Sequence, residues 1–329
     1  DEINEEEKIN NEEEEINNEE EDNYMNYLYI FITILLLPLL FKYGKTLYTY
    51  IGIIYMIRVM FTGTYELIPI DNLLIKSLKI NYIIWITLII CVLYLSIMYG
   101  DQNSTNIVKI ISGLLTTFIC ILFSWGNHKA VHSINFTNTF NIIYNKYLSF
   151  LPLWCKKICH IICWLADFHT KVHHNPKVNK IWYNELMEFM QNILSNIVGL
   201  LYISNIFKFK IVLFSSYIIP NNIIIIFWGL LYATVHIINY NIVHPEAHIL
   251  HHNSDLSKYG AYNKGSNKIY NYGVDIIDIL FDSKYNDNIE NINHVSYNCI
   301  ILIILIILFD KFNIIDYKII NYIKDLLLF

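Results

Sequence analysis

Long apolar runs constrain this chain before any single residue is considered. Residues 24–41, 47–61, 82–99, 107–125, 193–207 and 223–240 are apolar for most of their length. A segment of roughly 20 apolar residues crosses the hydrocarbon layer of a bilayer. There every backbone N–H and C=O must be satisfied internally, so these runs are expected as transmembrane helices. A weaker run, 148–165, is expected not to cross, and 299–309 is too short to cross alone. The latter is expected to dip into the interface or pack on the bundle. An amphipathic C-terminal helix then carries Lys311, Lys318 and Lys324 on its polar face. A chain of 329 residues that is 55% hydrophobic fits a polytopic membrane protein, not a string of soluble domains.

The remaining composition excludes several functions. Residues 1–22 are almost wholly Glu, Asn and Asp and read as a disordered acidic tail. They carry much of the net charge of −6, the rest is close to neutral, and no nucleic-acid partner is expected. No cleavable secretory signal is expected, because the first apolar run is long and follows an acidic stretch. Six cysteines in apolar settings do not make a disulfide framework. Cys155, Cys159 and Cys163 read as small residues along one packed or lipid-facing helix stripe. Asn, Ile, Tyr and Lys are abundant throughout, so individual Asn or Ile residues carry little weight.

Against this background the histidines stand out. Nine of the twelve fall in three short clusters: HKAVH (His128, His132), HTKVHH (His169, His173, His174) and HPEAHILHH (His244, His248, His251, His252). His236 lies just upstream of the third. Residues four apart share a helix face, so each cluster can aim its imidazoles in one direction. Pro245 suits a first helical turn, and the third helix is expected to start there. Two crossing runs separate the second cluster from the third, so all three clusters reach one side of the membrane. Seven lysines in 126–187 and four in 241–297, against none in 100–106, place that side in the cytosol. Lys42 and Lys45 fall on the other side. The sequon Asn103-Ser104-Thr105 would then face the lumen.

Neutral imidazole is the commonest protein metal ligand and is costly to gather beside lipid without a role. A structural zinc site closes with four ligands and a catalytic one uses about three. Eight to ten histidines exceed both, and two redox metals with positions left open for O2 account for the number better. The expected ligands are His128, His132, His169, His173, His174, His248, His251 and His252, with His236 and His244 as possible additions. His160 and His294 read as bystanders.

The order HxxxH, HxxxHH, HxxHH around transmembrane hairpins resembles the membrane di-iron histidine-box enzymes, and within them the fatty acid hydroxylase/sterol desaturase superfamily. Phe168 through His174 is similar to the FHxxHH box, and Pro245 through His252 to the PxxHxxHH box. Asn271-Tyr272-Gly273, Asp275, Asp278 and Leu280-Phe281 resemble the NYG…D..FG stretch that follows it. The resemblance covers about residues 80–290. The chain departs from the pattern in several places. Residues 258–270 read as inserted, two N-terminal spans are extra, and Lys156 occupies the partner position of His160, which sits near a first-box histidine. The second box has three residues between its first histidines where the family has two. HKAVH lies further upstream than the family's first box, at a spacing more typical of acyl desaturases. The FGT triplet reads Phe281-Asp282-Ser283.

The resemblance implies an all-α polytopic bundle whose cytosolic histidine-box helices form a di-metal cap. It further implies two iron ions that activate O2 against an unactivated C–H bond of a fatty acyl chain or sterol, giving an alcohol or an alkene. Asp275 and Asp278 are candidates to orient ligand N–H groups. No HPGG haem-binding segment is present, so electrons are expected from a separate carrier such as membrane cytochrome b5. The lipid substrate class implies the endoplasmic reticulum. The expected organisation is tail 1–22, N-terminal hairpin 23–80, catalytic domain 81–297 and membrane-associated helices 298–329. Two other classes remain open: a metal transporter and an inactive lipid-binding relative.

Overall fold

The computed structural model describes Gly52, Tyr55 and residues 72–175, 181–206, 211–213, 216–218, 220–253, 273–281, 283–284 and 287–312. The acidic tail, the first two expected spans (apart from Gly52 and Tyr55) and the C-terminal amphipathic helix beyond Phe312 lie outside the described residues. The chain divides into two compact units. One comprises residues 1–67 with 210–215, the other 68–209 with 216–329. The second unit carries the histidines, and among its described residues the regular structure is helical but for one three-residue strand, β2 (Ser216–Ile218). The first contains β1 (Ile211–Leu213).

Among the described residues the helices in chain order are α1 (Asn72–Ile80), α2 (Tyr82–Tyr99), α3 (Asn106–Ser133), α4 (Phe136–Ile143), α5 (Leu153–Ala166) and α6 (Trp182–Ile193). They continue with α7 (Gly199–Ile206), α8 (Asn222–Ala233), α9 (Tyr240–Val243), α10 (Glu246–Asn253), α11 (Asp275–Leu280) and α12 (Val295–Lys311). Wider π turns occupy Tyr144–Leu148, His169–His173, Leu194–Val198 and Thr234–Asn239. Among the described residues three stretches are long and apolar enough to cross a membrane: Tyr82–Tyr99, Asn106–Ser133 and Asn222–Val243.

Local chemistry sets where these helices begin. The Thr105 hydroxyl accepts from Val108 N–H at the start of α3, and the Asn221 side chain accepts from Ile223 N–H at the start of α8. Each satisfies a donor that has no partner within the helix. The helix begun at Thr105 runs two turns past the expected end at residue 125 and so carries His128 and His132 on its own continuation. Buried hydroxyls in the span do not break it, because Thr116, Thr117 and Ser124 donate back to carbonyls four residues earlier.

Packing in the bundle relies on small residues, because lipid supplies no hydrophobic force between helices. Gly113 of α3 sits where α2 and α8 converge. A Cβ there would overlap Ser96 Oγ and stand 2.9 Å from Ile224 Cδ1. Gly229 of α8 likewise accommodates Ile197. Around these notches the core is filled by Val92, Leu95, Cys120, Ile224, Ile225 and Phe227, all nearly or fully buried. We expect Gly113→Leu to cost about 1–3 kcal/mol through overpacking, read as a lower midpoint of thermal unfolding in detergent.

The run 299–309 belongs to α12, which packs on α2 and α8 and buries Cys299, Leu302 and Ile306. The weak run 148–165 is broken at Pro152 and yields the 14-residue α5, in which no residue is buried. Two asparagines fasten α12's approach to the α1–α2 junction. Asn81 donates to Glu290 C=O and accepts from Ile292 N–H, while Asn293 donates to Ile80 C=O.

Candidate metal centre

Three separate pieces of chain bring imidazoles to one point. α3 supplies His128 and His132 from its last turns, and the π turn after α5 supplies His169 with His174. α10 supplies His251. These five buried residues can each present a nitrogen within 4.8 Å of the others. A second group within the same limit contains His169, His173, His236 and Glu188. His169 is common to both.

The π turn explains the extra residue in the second cluster. The amide of His174 donates to the carbonyl of His169, five residues back, at 3.1 Å. A π turn absorbs one inserted residue without ending the helix, and such turns recur at functional sites. HxxxHH can therefore present three imidazoles where the related pattern uses HxxHH. A second π turn, Thr234–Asn239, delivers His236 from inside the third span.

Geometry argues for ion binding, not a hydrogen-bonded cluster. His169 Nε2 lies 3.0 Å from His128 Nε2, 3.2 Å from His132 Nε2 and 3.2 Å from His174 Nε2. His169 Nδ1 lies 2.8 Å from Glu188 Oε1, and in the tautomer that donates Nδ1–H to a deprotonated Glu188 its Nε2 keeps a single lone pair. One lone pair cannot accept from three neighbours. Metal–nitrogen bonds of about 2.1 Å place adjacent ligand atoms about 3.0 Å apart in an octahedron and about 3.4 Å apart in a tetrahedron. The observed separations fall in that range. Burial, then the neighbouring imidazoles His128, His174, His173 and His132, hold His169 well below the usual histidine pKa. It is therefore neutral and able to ligate.

Glu188 is the residue that the sequence alone does not single out. It is 1% exposed, and Asn192 donates to its Oε1 at 3.3 Å. Burial pushes the carboxyl up to about 8, partly offset by that Asn192 bond. Its Oε2 is buried with no hydrogen-bond partner among the described residues. Bonded to the His169 imidazole through Oε1 and grouped with His173 and His236, Glu188 in its deprotonated form links the two sets of ligands. The donor set suits a divalent metal with a preference for nitrogen and oxygen.

Glu188 belongs to a polar stripe on α6 and its continuation: Asn184, Glu188, Asn192 and Asn196, four residues apart and all buried. Asn196 donates to Asn192 C=O, the single Ser124 hydroxyl proton is shared between Cys120 C=O and Asn196 Oδ1, and Trp228 Nε1–H donates to Ser124. This chain fixes the helix bearing Glu188 against α3 and α8.

The remaining candidates are placed as follows. The ring of His248 lies 5.0 Å from that of His236 and 4.6 Å from that of Tyr240, beside the second group. His252 lies in α10, but its side chain is outside the described residues. His244 joins neither group. It ends α9 in the left-handed region (φ 51°) and is exposed, because α10 starts only at Glu246. His160 and His294 also join neither group.

Asp275 pairs with Lys284 at 2.7 Å. Asp278 accepts from Trp125 Nε1–H at 3.2 Å, from Ser283 and from Gly273 N–H. It therefore holds the segment after α10 against α3, one turn before His128. Asp167 does similar work for the second cluster. It accepts from Phe136 N–H, Thr137 N–H and Lys171, tying the π turn to the start of α4. Burial alone would raise this carboxyl, but the bonds from Lys171, Thr137 and Phe136 together hold it below the usual range.

An apolar cavity of about 140 Å3 reaches both groups. Its walls are chiefly Ile84, Leu88, Ile121, Trp228, Leu231 and Val235, and His128, His236 and His248 line it as well.

No protein-family model matches this chain, and no curated protein sequence or solved structure is significantly similar to it. The sequence and the site geometry therefore carry the functional argument. They show a predominantly helical protein whose described residues include three helices long and apolar enough to cross a membrane and a buried histidine cluster that could hold a metal ion.

Proposed function

We propose that this chain is an integral-membrane, O2-dependent, non-haem di-iron oxidoreductase that hydroxylates or desaturates a fatty acyl chain or sterol. The observation that supports it best is the opening of an apolar cavity between membrane helices onto histidines of both ligand groups. His128, His132, His169, His174 and His251 would hold one ion. His173, His236 and Glu188 would hold the other, with His248 and His252 available to complete the set. The bound pair would supply the O2 chemistry needed to break an unactivated C–H bond, which no side chain performs. Ile84, Leu88, Ile121 and Leu231 receive the hydrocarbon and keep water away from it. Trp125 and Asp278 steady the α3 turn that carries His128. The partners are a lipid from the bilayer and a separate electron carrier such as membrane cytochrome b5. The histidine side faces the cytosol of the endoplasmic reticulum.

Lipid profiling of cells expressing the wild type, His251→Ala and Leu231→Trp tests this reading. The wild type is expected to accumulate an oxidised lipid that is absent with His251→Ala. Leu231→Trp fills the cavity, so it should keep its metal and lose the product. A wild-type profile identical to that of cells lacking the protein would contradict an enzymatic role and favour a lipid-binding one.

A further inference from the structure

The helices flanking the second histidine cluster turn their apolar faces outward. α5 precedes it and packs on α4, with Cys155, Cys159 and Cys163 half-buried along one stripe. On the adjoining side Trp154, Ile158, Ile161 and Ile162 are 50–62% exposed. α6 follows it and is inverted more completely. Asn184, Glu188 and Asn192 point inward, while Tyr183, Leu186, Met187 and Met190 are 42–51% exposed. Gln191 of α6 donates to Leu165 C=O of α5 at 2.9 Å, joining the two helices.

Water would not tolerate two adjacent apolar faces of this kind, so something apolar must cover them. The same unit contains three helices able to cross a bilayer, which brings lipid alongside. At 14 residues α5 is about 21 Å long, too short to traverse a core of about 30 Å. Its rim is chemically that of an interfacial helix. Trp154 lies within the apolar face and Trp164 near its C-terminal end, the exposed Lys157 lies beside it, and Lys156 turns its Nζ onto the ring of Tyr144, 4.5 Å away. Aromatic rings settle at headgroup level and lysines extend from there into water.

We propose that α5 and α6 lie along the bilayer surface with these faces seated at the headgroup–acyl boundary. They hold the His169–His174 turn between them at that depth. This inference rests on the two apolar faces and not on the chemistry assigned to the metals.

Spin labels in the full-length chain, reconstituted in phosphatidylcholine/phosphatidylserine vesicles, test it. Ile161→Cys, Met187→Cys and Lys157→Cys would be introduced one at a time in a background with Cys155, Cys159 and Cys163 replaced by Ala, where the remaining Cys91, Cys120 and Cys299 are buried. Labels at 161 and 187 should be several-fold more accessible to O2 than to an aqueous nickel chelate, with the reverse at 157. Ready access of the nickel chelate at 161 and 187 would overturn the proposal. So would labels shielded from both reagents, which would mean that protein covers these faces. A second measurement needs no cysteine background: brominated phosphatidylcholine should quench the wild type more than Trp154→Phe, and equal quenching would count against the proposal.

Discussion

His169→Ala is expected to strip the chain of both metal ions. His169 belongs to both ligand groups, and its Nε2 is the point on which His128, His132 and His174 converge. Its Nδ1 is bound to Glu188, the carboxylate of the second group. Removing the ring therefore takes a ligand from the first ion and releases the Glu188 carboxylate that faces the second. The loss in affinity should exceed the roughly 10- to 100-fold typical of changes to residues that only orient a ligand. His174→Ala removes a ligand from one group alone and should leave the other ion in place. Elemental analysis of the two purified variants checks this, and equal metal loss in both would show that His169 has no shared role.

Glu188→Gln should separate the two ions in the opposite sense. The glutamine carbonyl can still accept from His169 Nδ1–H, so the first ion is expected to stay with little change. The amide nitrogen that replaces Oε2 offers no lone pair, so the ion beside His173 and His236 should be lost. Glu188→Ala also releases His169 and should weaken the first ion by roughly 10- to 100-fold. Metal titrations of both variants in detergent distinguish these outcomes. Retention of both ions by Glu188→Gln would reduce Glu188 to a hydrogen-bonding role.

Much of this architecture is legible in the sequence, for identifiable reasons. The span Tyr82–Tyr99 ends where Gly100 and Asp101 interrupt the apolar run, so its bounds follow directly from composition. The pairs His128/His132 and His169/His173 are visible because a four-residue interval survives on any helix. Glu188 escapes notice because WYNELMEFMQNI reads as an ordinary amphipathic helix with its polar side in water. The clue was the four-residue repeat of Asn184, Glu188, Asn192 and Asn196, hidden by a chain rich in asparagine everywhere. In this helix the polar side faces inward, an inversion that only the surroundings reveal. The π turn at His169–His173 is invisible to hydrophobic periodicity, which assumes an α-helical pitch. His244 misleads for the opposite reason. The repeat His244, His248, His252 suggests one continuous face, yet Pro245 cannot donate a backbone hydrogen bond and the helix begins only after it.

The most direct measurement is the metal content of the full-length chain, purified in detergent without chelator after growth with iron and zinc supplied. Two iron ions per chain, falling together in His169→Ala and by one in Glu188→Gln, are the expected result. Zinc at full occupancy with no iron, or no metal retained by the folded wild type, would contradict a di-iron centre.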